Sequence, residues 1–138
     1  MIIDGNDLIL GRLGSFVAKK ALLGEKMNIV NCENIVITGK KEDVFGEYRK
    51  RLARGIHSKG PFLYKMPDMF VKRALRGMLP YRKERGKRAF KNIKCYIGIP
   101  ENLNKEKIET VEMANINKVP SLNYVKVKDI CKEIGGKI

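Results

Sequence analysis

Eight arginines, Arg49, Arg51, Arg54, Arg73, Arg76, Arg82, Arg85 and Arg88, crowd into the middle of this 138-residue chain. A guanidinium group is planar and permanently charged, so it can fork onto two phosphate oxygens or lie flat on a base. Lys50, Lys59, Lys65, Lys72, Lys83 and Lys87 fall between them, with His57 and Tyr81 in the same stretch. Residues 48–94 hold 16 of the 29 Lys and Arg but only two of the 15 acids, Asp68 and Glu84. That segment therefore carries the entire formal charge of +14, and the flanks together are neutral. A solvated face mixes its charges, whereas segregated positive charge attracts a polyanion and releases its counterions. The eight arginines and six lysines named above, with His57 and Tyr81, are the candidate contacts for a nucleic acid. Tyr48, Phe62, Tyr64 and Phe90 are interleaved with them and offer rings for base stacking, although Tyr48 and Phe90 suit a core equally well. No helix-turn-helix, zinc ligands or heptad dimer is evident, so reading of RNA shape through its backbone fits better than DNA readout.

Other chemistries find less support. Gly11-Arg12-Leu13-Gly14-Ser15 follows a first strand, where a glycine-rich turn could hold phosphate at a helix N-terminus. It satisfies neither G-x-G-x-x-G nor G-x-x-x-x-G-K-[ST], and neither does Thr38-Gly39-Lys40-Lys41, so these glycines read as tight turns and close packing. His57 is the sole histidine; Ser58 beside it makes no triad, because sequence neighbours rarely share nucleophile and base geometry. Glu106, Glu109 and Glu112 are spaced for one solvated helix face. Cys32, Cys95 and Cys131 lie far apart, form no C-x-x-C pair, and read as reduced, buried hydrophobes. No enzyme, metal site, cofactor or small-molecule substrate is expected. The rival readings are a small nucleotide-binding α/β enzyme and a DNA-binding regulator.

The frame that must hold the basic segment is legible in the flanks. Hydrophobic residues make up 43% of the chain, enough to fold, and its length suits one domain spanning residues 1–138. Met1-Ile2-Ile3 reads as a strand ending at the turn Asp4-Gly5-Asn6-Asp7. Leu13, Val17 and Ala21 recur every four residues in a helix from Gly11 to Leu23, with Gly14 and Ala18 on a second face that could lie close against a sheet. Met27–Cys32 and Ile35–Ile37 give one interrupted strand or two short ones, so strand, helix, strand predicts a parallel βαβ unit. A helix from Lys41 to Arg54 sets Val44, Phe45, Tyr48 and Leu52 against Glu47, Lys50, Arg51 and Arg54. Residues 55–67 read as a loop.

Pro67 can open a helix running to Leu79, with Val71, Ala74, Leu75 and Met78 inward, Lys72, Arg73 and Arg76 outward, and Pro80 ending it. Tyr81 to Lys91 reads as a basic arm with few residues able to pack, ordered only when RNA arrives. Ile93–Ile99 predicts a buried strand, and Val127, Ile130, Cys131 and Ile134 a closing amphipathic helix stopped at Gly135. Residues 101–124 give no clear pattern. The longest apolar runs fall far short of the roughly 18 residues of a membrane helix, and no secretory leader is visible, so a cytoplasmic protein is expected.

Leu75-Arg76-Gly77-Met78-Leu79-Pro80 resembles the signature of the thirteenth protein of the large ribosomal subunit, a universal family. Further matches follow in the family's order: Leu10-Gly11-Arg12-Leu13, Val30-Asn31, Val36-Ile37-Thr38-Gly39 with Lys41, Arg85-Gly86, and Tyr96-x-Gly98-x-Pro100. The resemblance covers residues 1 to about 100, and the compact ends look archaeal. Gly14 departs from it, since the family more often has alanine there. The resemblance implies a three-layer α/β/α fold around a four-stranded, mainly parallel sheet, extended here by the basic helix and arm. It also implies a structural role, with large-subunit ribosomal RNA as partner and neighbouring ribosomal proteins as secondary partners.

Overall fold

The computed structural model describes residues 1–103 and 107–138. Strand β1 (Ile2–Asp4) leads through helix α1 (Leu10–Leu22) to β2 (Met27–Val30), and β1 and β2 pair in parallel, giving the expected βαβ unit. Strands β4 (Ile93–Cys95) and β5 (Ile108–Glu109) complete a parallel sheet in the order β4-β2-β1-β5. The two apolar runs after α1 belong to different sheets. A 3₁₀ turn at Cys32–Asn34 separates them, and β3 (Val36–Thr38) pairs antiparallel with β6 (Tyr124–Lys126). Helices α2 (Lys41–Ala53), α3 (Pro67–Gly77), α4 (Glu84–Lys91) and α5 (Val127–Glu133) finish an architecture consistent with a three-layer α/β fold.

Strand periodicity places Ile3, Met27, Ile29 and Ile93 on one face of the sheet, where they join Leu13, Val17 and Ala21 of α1 with Val71 and Leu75 of α3 in the core. Ile2 and Val30, on the opposite face, are also buried, as expected for parallel strands. α5 buries Val127, Ile130 and Cys131 as its spacing predicts. Gly14 lies against α3 rather than the sheet: a β-carbon there would stand 2.4 Å from the Met78 sulfur. Met78 is accordingly not an inward core residue but 41% exposed, with its thioether draped over α1.

Five further sequence expectations need correction. The basic arm is a helix, α4, docked through buried Gly86 and Ala89, with Phe90 half-buried. A β-carbon on Gly86 would stand 2.1 Å from the Pro80 carbonyl oxygen, so α4 meets that turn backbone to backbone. Second, α3 ends at Gly77, three residues before Pro80; tight turns follow, with Met78 N–H donating to Leu75 O and Lys83 N–H to Pro80 O. Third, Leu52 of α2 is 44% exposed instead of facing inward, and no residue of α2 is fully buried. Fourth, Glu109 sits in β5 and Glu112 opens a 3₁₀ turn, so they share no helix; Glu106 lies outside the described residues. Fifth, the strand expected over Ile93–Ile99 stops at Cys95, although Tyr96 N–H still donates to Ile29 O at 2.8 Å.

Beyond the carboxyl ends of β1 and β2, where open α/β sheets commonly hold ligands, polar side chains satisfy one another. Asp4 Oδ1 accepts from Asn31 Nδ2 (2.9 Å) and the Asn6 backbone N–H (3.1 Å), and Asn34 Nδ2 donates to Asn6 Oδ1 (2.8 Å). On the β5 side the 114–116 segment is stitched across, with Ile9 N–H donating to Ala114 O and Ile116 N–H to Asp7 O. Gly11 and Gly14 lie within α1, not in a phosphate-cradling loop.

Candidate nucleic-acid interface

The packing of α3 on α4 decides where the central cations point. Val71 and Leu75 anchor α3 in the core, which turns Arg73 outward. Lys72 and Arg76 flank that direction, half-buried because α4 and its leading turn supply rings beneath them. The Lys72 ammonium lies 5.2 Å from the Phe90 centroid, and the Arg76 guanidinium lies 3.9 Å from that of Tyr81. Tyr81 in turn meets Phe90 edge-on at 5.6 Å. Cation–π contact of this kind fixes a side chain without neutralising it.

A cleft of about 540 Å³ opens at the end of α3, lined by Arg73, Arg76, Gly77, Tyr81, Arg82 and Lys83 among others. Beside it a second, of about 290 Å³, is lined by Lys72, Arg73, Arg76, Tyr81, Phe90 and Tyr64 with Met69. A third, of about 380 Å³, runs from Arg73 to Arg51 across Tyr48 and Phe70. Arg73 borders all three, so Arg51, Lys72, Arg73, Arg76, Arg82 and Lys83 share one surface. Among the described residues Arg73, Arg76, Arg82 and Lys83 form no ion pair, so their charge is available to an incoming anion.

The remaining candidates divide. Arg49 is tied to Glu133 of α5. Arg51 pairs with Glu47 at 2.9 Å and lies 5.3 Å from the Tyr48 centroid. Arg88 is 3.6 Å from Glu84. The Arg51 and Arg88 pairs are exposed on both sides and weak enough for a phosphate to compete, whereas Glu133 holds Arg49 from a side chain only 29% exposed. Lys50, Arg54, His57, Lys59, Arg85 and Lys87 are exposed without lining these clefts. Lys65 is exposed but folds back on the end of α5, its Nζ close to Gly135. Two basic patches escape the sequence reading. Lys26 joins Lys91 and Lys94 around a cleft of about 290 Å³, and Arg12, Lys19 and Lys118 rim an apolar cleft of about 600 Å³. Lys26 and Lys118 lie outside the basic run, so only the fold reveals their neighbours.

The other titratable groups point to structure. The Cys32 thiol is held well above its ordinary pKa by a hydrogen bond shared with Cys95 and by burial. Cys131 is pushed up to about 12 by burial, with Asp68 nearby adding to it. Burial likewise raises the Tyr48 phenol. Thiols so disfavoured as thiolates make poor nucleophiles. Among the described residues no group of His, Cys, Asp and Glu could hold a metal ion, and no helix is long and apolar enough to cross a membrane.

Known proteins resemble this chain over nearly its whole length. The family model described as Ribosomal protein L13 matches residues 1–102. The chain is 42% identical over 136 residues to the large ribosomal subunit protein uL13 of Methanococcoides burtonii, covering 99% of this chain and 98% of that one. The same protein of Methanopyrus kandleri is 39% identical over 97% of this chain and 86% of its own length. That of Natronomonas pharaonis is 38% identical over all of this chain and 92% of its own. Matched by that family model over residues 1–102 and by these relatives over nearly its whole length, the chain belongs to the ribosomal protein L13 family.

Proposed function

We propose that this chain is a structural constituent of the large ribosomal subunit that binds large-subunit rRNA through its basic central region, and so supports subunit assembly and translation in the cytoplasm. Family membership supports the ribosomal role and a non-enzymatic one. The observation that carries the RNA contact is the surface where Arg73, Arg76, Arg82 and Lys83 stand together without a carboxylate partner among the described residues. Such groups meet phosphate by charge-assisted, often bidentate hydrogen bonds. The whole chain acts as one RNA-binding domain, with α3 and α4 as its principal contact surface. Arg49, Lys50, Arg51, Arg54, His57, Lys59 and Lys65 extend that surface on one side, and Arg85, Lys87 and Arg88 on the other. Neighbouring large-subunit proteins are the secondary partners.

Competition is the direct test. Large-subunit rRNA should displace a labelled rRNA fragment from the protein at far lower concentration than random duplex DNA of equal length. Equal competition by the two would reduce the reading to unspecific polyanion binding.

A further inference from the structure

The aromatic rings of the basic region fall into two groups. Tyr48 packs on Phe70 with centroids 5.3 Å apart, Tyr81 packs on Phe90, and Arg51, Lys72 and Arg76 lie over three of those rings. Phe62, by contrast, is 75% exposed and has neither a ring nor a cation against it among the described residues. Nor does it hang from a slack loop. Just before it, Ile56 and Gly60 exchange backbone hydrogen bonds of 3.2 and 2.9 Å, closing a compact turn that leads directly into Phe62.

Phe62 and Tyr64, itself 46% exposed, form one wall of the 380 Å³ cleft, the Tyr48–Phe70 pair lines it too, and Arg51 and Arg73 stand at its border. No carboxylate lines it. Its volume lies near the lower end of the roughly 300–1,000 Å³ typical of small-ligand pockets, room for a single ring system rather than a helix.

We infer that this cleft receives one unpaired nucleobase of the bound RNA, with Phe62 stacking on the base and Arg73 reaching the adjoining phosphate. An apolar protein segment would find the rings but would leave Arg73 without a counter-charge, Arg51 alone having one in Glu47. A flipped-out nucleotide brings both a flat face and an anion, the combination by which proteins read single-stranded bulges and loops. The inference deepens the RNA-binding reading above and rests on it.

Two synthetic RNA hairpins identical except for one bulged 2-aminopurine nucleotide provide the test, titrated against the full chain and its variants. The wild type should bind the bulged hairpin more tightly and quench its fluorescence. Phe62→Ala should lose about five- to hundredfold of bulged-hairpin affinity, the range expected for one stacked base, with paired-hairpin affinity and thermal melt unchanged. Phe62→Tyr should retain the preference. Equal wild-type affinity for the two hairpins would overturn the base pocket while leaving the basic surface intact. Full preference in Phe62→Leu would also overturn it, since an aliphatic side chain cannot stack and the site would then suit an apolar segment of a neighbouring protein. Binding to neither hairpin would sink the RNA-binding reading itself.

Discussion

Neutralising Arg73 should change the salt dependence of RNA binding without changing the stability of the protein. Six cationic side chains, Arg51, Lys72, Arg73, Arg76, Arg82 and Lys83, border the three connected clefts. If each displaces one counterion from duplex RNA, log K should fall with log salt at a slope of about −5, a loss on the order of 10³ in affinity between roughly 50 and 200 mM. Arg73→Gln removes one contact, so the slope should become shallower by about 0.9 and affinity at fixed salt should drop about tenfold or more, the value of one charge-assisted hydrogen bond. Arg73 is exposed and makes no ion pair among the described residues, so its melt should not move. Arg76→Gln makes the informative contrast. It also removes the stack on Tyr81 at 3.9 Å, worth about 0.5–1 kcal/mol, and should lower the melting temperature by a few degrees. Fluorescence anisotropy with a large-subunit rRNA fragment at four salt concentrations reads the slope, and differential scanning fluorimetry the melt. An unchanged slope for Arg73→Gln, or a flat salt response in the wild type, would refute the claim that this surface meets phosphate.

Three further outcomes concern the frame. Gly86→Ala should destabilise by about 2 kcal/mol or more in denaturant melts, because its β-carbon meets the Pro80 carbonyl, whereas Gly14→Ala should fall within about 1 kcal/mol of wild type, since a movable Met78 tip can yield. Gly77→Ala should raise stability by up to about 1 kcal/mol, because it is the last residue of a helix and a β-carbon there meets nothing. Stability should also fall with rising pH on the alkaline side. The folded state holds the Cys131 proton up to about 12 while the unfolded thiol releases it near 9.0, so the unfolded chain binds fewer protons between those values. Cys131→Ala should weaken that pH dependence in melts taken at pH 8 and above, and an identical dependence in the variant would assign it to other groups.

The sequence betrayed elements whose burial depends on large apolar residues at regular spacing. Leu13, Val17 and Ala21 disclosed α1, and Val127, Ile130, Cys131 and Ile134 disclosed α5. It hid α4 because that helix docks through Gly86 and Ala89, residues too small to stand out among Arg82, Arg85, Lys87 and Arg88. The pattern was nonetheless present: Gly86, Ala89, Phe90 and Ile93 are spaced i, i+3, i+4, i+7. β5 and β6 are two and three residues long, too short for alternation to register, and only pairing with distant strands defines them. The cations of α3 and the turn before α4 were legible as a set. Their division into exposed Arg73 and ring-supported Lys72 and Arg76 was not, since it depends on where α4 comes to rest.

The amide and carboxylate cluster of Asp4, Asn6, Asn31 and Asn34 bears on how such a scaffold can diversify. A doubly wound sheet normally keeps its mouth vacant, and new catalysts arise by refitting the loops around that vacancy. Here the chain has stoppered its own mouth, both Asp4 carboxylate oxygens and the Asn6 amide oxygen answered by neighbouring nitrogens. Innovation in a protein built this way must proceed on its outer flank, and a designer wishing to turn it into a cofactor-dependent enzyme would first have to pull the cork.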